Sequence, residues 1–188
     1  MNETIRLAGV VRESIVDGPG LRFAVFCQGC PHDCPDCHNP ETHGFSGGQE
    51  IPIEKILTAI DENPLLSGVT FSGGEPSCQP EGFLALAREI RKRGLNIWMY
   101  SGYTLEELFR FADPNGSGYA SRDARWEDPA MREALRQLLM TIDVLIDGRF
   151  QKHHRDLTLL YRGSTNQRVI DMKKTLSTGH LTLVDLGQ

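Results

Sequence analysis

Three cysteines, Cys30, Cys34 and Cys37, stand in the pattern Cys-x3-Cys-x2-Cys with Cys27 just ahead of them, and only Cys78 of the five lies elsewhere in the 188-residue chain. Thiolates crowded into one short segment suit a soft metal, either zinc or an iron–sulfur core. An odd number of cysteines with no export signal ahead of them argues against a disulfide framework. The spacing leaves three arrangements open. A structural zinc site would use all four thiols, yet only three residues separate Cys27/Cys30 from Cys34/Cys37, where zinc modules usually place their pairs about a dozen or more residues apart. A closed four-cysteine cluster for electron transfer would also take Cys27. A [4Fe–4S] cluster on Cys30, Cys34 and Cys37 would leave one iron free for a ligand, and a metal site that keeps a position open is built for chemistry. Cys27 itself ends an alternating apolar run and reads as a small buried hydrophobe.

The second candidate is Ser72-Gly73-Gly74-Glu75-Pro76. Glycines at 73 and 74 let the backbone approach a ligand closely and leave its amides and carbonyls available; a tight turn alone would explain them but not the adjoining Glu-Pro. Asp36 and His38 flank Cys37. His32, inside the cysteine segment, reads as an exposed or supporting residue rather than a ligand. His153 and His154 lie in a charged stretch that reads as a solvated loop. The basic, polar run 162–168 reads either as a surface loop or as a docking segment for a protein partner.

Strands and helices alternate around these residues. Positions 21–27 alternate as a strand, and 28–49 form a long loop too rich in Cys, Gly, Pro and Asn for a regular element, a kind of loop that is usually functional. A helix follows over about 52–63, then a short strand at 69–71 that runs into the Gly-Gly-Glu-Pro loop. The next helix spans about 80–93, with Gly94 as its stop. A strand at 95–100 leads to Thr104, whose spacing to Glu107 is a capping-box pattern. A helix over 128–141, a strand at 144–146, and two late apolar stretches at 169–172 and 181–186 that could be edge strands complete the chain. Such alternation implies parallel pairing with ligands beyond the carboxyl ends of the strands. The cysteine loop, the Gly-Gly-Glu-Pro loop, Ser101-Gly102 and Asp147-Gly148 should therefore meet on one rim.

The chain reads as a single domain over 1–188, with a surface insertion at about 113–128 and an extension at about 173–188. A full (β/α)8 barrel needs about 250 residues, so only a partial, open parallel β/α barrel fits. The formal net charge of −5 speaks against a nucleic-acid partner held by electrostatics. No apolar run approaches the roughly 18 residues of a membrane span, and the N-terminus lacks a signal-peptide core, so a cytoplasmic location is expected.

The cysteine pattern followed by Ser-Gly-Gly-Glu-Pro resembles the radical S-adenosylmethionine (SAM) superfamily. Val16-Asp17-Gly18-Pro19-Gly20-Leu21-Arg22 looks like a segment of the glycyl-radical activating enzymes. Tyr100-Ser101-Gly102-Tyr103-Thr104, Asp147-Gly148-Arg149-Phe150 and Arg162-Gly163-Ser164-x-Asn166-Gln167-Arg168 look like the members that act on the anaerobic ribonucleoside-triphosphate reductase. The resemblance runs from about residue 15 to 172, leaving out 113–128 and the tail after Lys173. It implies a partial barrel of the radical SAM type, one [4Fe–4S] cluster on Cys30, Cys34 and Cys37, and SAM bound at the open iron. Asp36, Cys37, His38, Gly73, Gly74 and Glu75 would be the cofactor-binding residues, with His38 where the family usually has an aromatic residue. Reductive cleavage of SAM would yield a 5′-deoxyadenosyl radical and then a glycyl radical on the reductase, so no protein acid or base is expected to be catalytic. A reduced flavodoxin- or ferredoxin-type protein would supply the electron. Only Cys27 and Cys78 remain after the three ligands, too few for a second four-cysteine cluster. Activation of a different glycyl-radical enzyme and deazaguanine-forming chemistry on a small molecule are the related alternatives, and a non-enzymatic electron-transfer module is the unrelated one.

Overall fold

The protein, as a computed structural model, is described over residues 3–114 and 124–187; residues 115–123 of the expected surface insertion lie outside the described residues. Seven strands form one sheet in the order β3-β1-β2-β4-β5-β6-β7. They are β1 (Thr4–Ser14), β2 (Arg22–Cys27), β3 (Gln49–Pro52), β4 (Gly68–Gly73), β5 (Asn96–Tyr100), β6 (Val144–Asp147) and β7 (Arg168–Asp171). β2, β4, β5 and β6 pair in parallel, whereas β1 joins β2 and β3, and β7 joins β6, antiparallel. The sheet is thus open, with β3 and β7 at its edges and the expected β/α alternation in its parallel centre.

The parallel strands read as nearly continuous apolar runs because both faces are covered. On one face Phe23, Val25, Cys27, Val69, Phe71, Ile97, Met99 and Leu145 pack with the helices into the main core. Helix α1 (Ile53–Asp61) contributes Ile53, Ile56, Leu57 and Ile60 to it, and α2 (Pro80–Lys92) contributes Phe83, Leu86, Ala87 and Ile90. Each fully buried Ile, Leu or Phe among these contributes about 1.5–3 kcal/mol. Alternate residues point the other way, and Trp98, Val144, Ile146 and Val169 form a second cluster.

Helix α3 (Leu105–Phe111) starts at the expected capping box on Thr104, and α4 (Pro129–Thr141) starts from Asp128, whose carboxylate accepts from the Ala130 N–H. Four features differ from the sequence reading. β3 lies where the end of the loop and the start of the first helix were expected, so that Pro52 ends a strand and precedes α1. β1 was not anticipated, because residues 8–13 are exposed and carry no clean alternation; only Ile5, Leu7 and Ser14 of this strand are buried. The expected tail after residue 173 begins within a helix, α5 (Met172–Thr178), which Asp171 caps by accepting from the Lys174 N–H at 2.9 Å. The stretch 181–186 makes a bridge to β7 at Leu183 rather than a full strand, held by Asp171 N–H to the Thr182 carbonyl and Val184 N–H to the Val169 carbonyl.

Candidate functional site

The cysteine loop leaves the sheet at the end of β2. Cys27 is fully buried in the main core, and burial pushes its thiol well above the ordinary range. Beyond it the two limbs of the loop are joined by backbone bonds, Gly29 N–H to the Thr42 carbonyl at 2.8 Å and Cys30 N–H to the His43 carbonyl at 3.0 Å. The Gln28 side chain fills the space between the limbs, donating to the carbonyls of Glu41 and Gly44. Asp33 and Asp36 turn the chain in left-handed conformations, φ 46° and 58°, which Asp tolerates better than most residues.

Cys30, Cys34 and Cys37 come out half-buried and free on this loop. The Asn39 N–H donates to the Cys37 sulfur at 3.4 Å. Burial pushes the Cys30 thiol up to about 12 and raises that of Cys34. A bound cation inverts that preference, since a coordinating thiol is deprotonated outright. Among the described residues no three or more His, Cys, Asp and Glu side chains are gathered to hold a single metal ion. The loop offers three soft thiol donors, and Cys27 lies apart from them in the core, which fits a cluster held by three cysteines.

The loop after β4 lies against the cysteine loop backbone to backbone. Gly74 N–H donates to the Cys27 carbonyl at 2.9 Å and Glu75 N–H to the Gly29 carbonyl at 2.8 Å. A Cβ on Gly74 would sit 2.4 Å from the Gly29 oxygen, so only glycine permits this approach.

Glu75, expected among the cofactor-binding residues, is fully buried. Its Oε1 accepts from the Ser77 N–H and hydroxyl and from the Ser101 hydroxyl, and its Oε2 from His32 and the Gly102 N–H. Burial alone would raise this carboxyl, but the bonds from His32, Ser77 and Gly102 outweigh it and hold Glu75 below its ordinary range. One carboxylate therefore joins the cysteine loop, its own loop and the Ser101-Gly102 turn after β5.

The turn after β6 completes the rim. Gly148 N–H donates to the Tyr103 carbonyl, Asp147 accepts from the Leu105 N–H at 2.7 Å, and Arg168 bridges Asp147 and Glu106. Lys152 pairs with Asp36 at 2.7 Å, and the His38 ring lies 5.2 Å from that of Phe150. Asp36, Cys37, His38, Gly73 and Gly74 thus meet on one rim with the other two cysteines of the pattern, as the strand ends required.

Sequence reasoning missed Ser77, Ser101, His32 and Gly102 as partners of Glu75. The signal was available in part: an acidic residue directly after a buried strand needs donors, and His32 is one of three histidines on the facing loop. His153 and His154 are exposed and touch each other. The run 162–168 differs from a plain surface loop, since Ser164 is fully buried and Gln167 is bonded to both Gly163 and Gly148.

The family described as "4Fe-4S single cluster domain" matches residues 16–170. The chain is 33% identical over 164 residues to the anaerobic ribonucleoside-triphosphate reductase-activating protein of Salmonella typhi, covering 82% of this chain and 91% of the relative. The protein of that name from Escherichia coli (strain K12) is 32% identical with the same coverage. The pyruvate formate-lyase-activating enzyme of Clostridium pasteurianum is 34% identical over 119 residues, which is 57% of this chain and 49% of the relative. Among solved structures, QueE from Escherichia coli matches at a TM-score of 0.43 and 18% identity over 54% of each chain, a likeness too partial to bear on function.

Proposed function

The chain belongs to the 4Fe-4S single cluster domain family and to that of the anaerobic ribonucleoside-triphosphate reductase-activating proteins, and from that premise we propose that it generates a glycyl radical on an anaerobic ribonucleoside-triphosphate reductase. The observation that carries the reading is the convergence of three free thiols and a glycine-lined backbone loop on one rim, in a chain that spans 91% of the reductase-activating relative and 49% of the pyruvate formate-lyase-activating one.

When bound, a [4Fe–4S] cluster and SAM supply the one-electron cleavage that yields a hydrogen-abstracting radical. The chain's own part is to bind, orient and shield. Cys30, Cys34 and Cys37 hold the cluster. The backbone of Gly73-Gly74 and the end of the cysteine loop, Asp36 to His38, face SAM. Glu75 acts through the loops it joins. No side chain is assigned a proton transfer. The whole chain, 1–188, acts as one unit, with the reductase and a reduced flavodoxin- or ferredoxin-type donor as its protein partners. We place it in the cytoplasm, where thiols such as its five are kept reduced; no helix among the described residues is long and apolar enough to cross a membrane.

Electron paramagnetic resonance on anaerobically reconstituted, reduced protein tests the reading. A [4Fe–4S]1+ signal that changes when SAM is added, and a glycyl radical that appears only with the reductase present, are expected. A cluster indifferent to SAM would mean a closed electron-transfer site. SAM cleavage in which the reductase plays no part, with no radical on it, would mean another substrate.

A further inference from the structure

In a chain with a formal net charge of −5, the segment after β6 carries Arg149, Lys152, His153, His154 and Arg155 with no carboxylate between them. All five are exposed. Their place is fixed against the end of the cysteine loop, where Lys152 pairs with Asp36 at 2.7 Å and the Phe150 ring lies 5.2 Å from that of His38. The other side of the segment is held by residues 164–166. The Thr165 N–H donates to the His154 carbonyl at 2.9 Å, Asn166 donates to the Arg149 carbonyl at 2.9 Å, and the Ser164 hydroxyl accepts from the Gln151 N–H at 3.2 Å. A second dense basic run, Arg88, Arg91, Lys92 and Arg93 on α2, is neutralised within the fold. There Arg91 pairs with Asp143, Lys92 with Glu89 and Arg93 with Asp61. Beside the cysteine loop only Lys152 is paired, and Arg149 and Arg155 have no ion pair among the described residues. The nearby carboxylates do not cancel them, since Asp156 turns to the N–H and hydroxyl of Thr158 and Asp33 faces His43 at 3.3 Å.

We propose that Arg149, Lys152, His153, His154 and Arg155 form the docking surface for an acidic one-electron donor protein. The inference rests on the reading of Cys30, Cys34 and Cys37 as cluster ligands. A patch of one sign raises the association rate of an oppositely charged partner by about 10–10³-fold. An exposed, largely polar surface suits the brief encounters of electron transfer, whose interfaces are small. The place selects the donor as occupant, because the patch is joined to Asp36, which lies between Cys34 and Cys37 in the chain. In the encounter the donor loses one electron, an anionic flavin hydroquinone becoming the neutral semiquinone, and the cluster passes from [4Fe–4S]2+ to [4Fe–4S]1+. No proton or group crosses.

The test is calorimetric binding of an oxidised flavodoxin, and of an acidic ferredoxin, to the reconstituted full chain at low and high salt. Stopped-flow reduction of the cluster by the reduced form of each donor is followed in parallel. Arg149→Glu/Arg155→Glu should weaken binding and slow reduction about tenfold at low salt, and the gap from the parent should close as salt screens the charges. Arg88→Glu/Lys92→Glu makes the same change in net charge on α2 and should stay within about twofold of the parent. A photoreduced neutral deazaflavin, which charge does not steer, should reduce all three proteins at rates within about twofold. Equal affinities and rates in the parent and the Arg149/Arg155 variant overturn the proposal. So does an equal loss in both double variants, since net charge alone would then be acting. Equal slowing with the deazaflavin also overturns it, because the charges would then act on the cluster and not on the partner. Binding lost for the reductase but kept for both donors would give the surface to the reductase instead. A parent chain that binds neither donor overturns the proposal outright. A parent that takes up no iron overturns the cluster reading and the proposal with it, and iron analysis distinguishes that failure from any change among the variants.

Discussion

The Nε2 of His32 lies 2.9 Å from Oε2 of Glu75, with 3% and 0% of the two side chains exposed. A carboxylate only accepts, so Nε2 carries the hydrogen, and this bond ties the cysteine loop to the loop after β4 alongside the two backbone bonds from Gly74 and Glu75. Glu75→Ala would strand the donors of His32, Ser77, Ser101 and Gly102 in a buried site. Removing one partner from a buried charged network costs about 3–5 kcal/mol. A loss of unfolding free energy of that size, read from urea titration, is expected, with loss of iron uptake in the variant. Glu75→Gln keeps the shape but turns an amide group toward a donor, and should fall between. A parent-like midpoint for Glu75→Ala would show that the carboxylate does not organise the rim.

The cysteines separate into two classes. Cys30, Cys34 and Cys37 are half-buried on the loop, whereas Cys27 and Cys78 are buried beneath it. Substituting Ala at 30, 34 or 37 in turn is expected to abolish stable iron binding while leaving the helical signal of the fold unchanged. Cys27→Ser should retain iron and lose about 1–3 kcal/mol of stability for placing a hydroxyl in an apolar core. Iron analysis with circular dichroism on the four single variants checks this, and iron lost from Cys27→Ser in a folded protein would restore the closed four-thiolate site.

The parallel centre of the fold was legible because each strand and helix carried its own period: Val69 and Phe71 on the core face, then Phe83, Leu86, Ala87 and Ile90 at helical spacing. β1 was not, since its residues 8–13 face outward and its place is set by pairing with β2 and β3 rather than by a pattern of its own. The site followed the same division. Cysteines and glycines announced themselves through the chemistry of their types. What Glu75 and Gln167 do depends on partners supplied by distant loops, Ser101 and Gly102 for one and Gly148 for the other, and no local spacing encodes such partners. Arg22 belongs with these. In sequence it is part of a recognisable motif, whereas in the structure it is a fully buried cation bonded to Thr70, Asn96 and the Val69 carbonyl beneath Trp98, with burial lowering its guanidinium to about 10.

Acid sensitivity should come in part from the far side of the rim. The hydrogen bond and charge of Arg168 hold the Glu106 carboxyl down to about 2 from its ordinary 4.5. A carboxyl depressed in the folded state contributes its stability fully above the unfolded value and loses it as the pH falls through the folded one. The contribution is therefore present above pH 4.5 and fades between there and about pH 2. Glu106 is half exposed, so solvent screening keeps the effect below about 1 kcal/mol. Glu106→Gln should flatten the decline in melting temperature over that window and change little at neutral pH. An identical acid limb in the variant would place the sensitivity elsewhere.

Position 74 tests whether the close backbone approach matters to cofactor binding rather than to folding alone. A methyl on Gly74 meets the Gly29 oxygen at 2.4 Å and the Cys27 oxygen at 3.1 Å, both fixed backbone atoms, so the loop after β4 must move away from the cysteine loop. The bonds from Gly74 N–H to Cys27 and from Glu75 N–H to Gly29 lengthen together. Each is worth about 1 kcal/mol net, which a chain with this core survives, and the three thiols stay on their own loop. Gly74→Ala is therefore expected to fold and to bind iron at the parent ratio while losing at least tenfold in SAM affinity, read from the change SAM causes in the reduced cluster signal. Gly94→Ala, where a Cβ meets nothing within 4 Å but φ is +73°, controls for the strain of replacing a glycine far from the rim. Equal SAM affinity in the parent and Gly74→Ala would remove the Gly-Gly loop from the cofactor site.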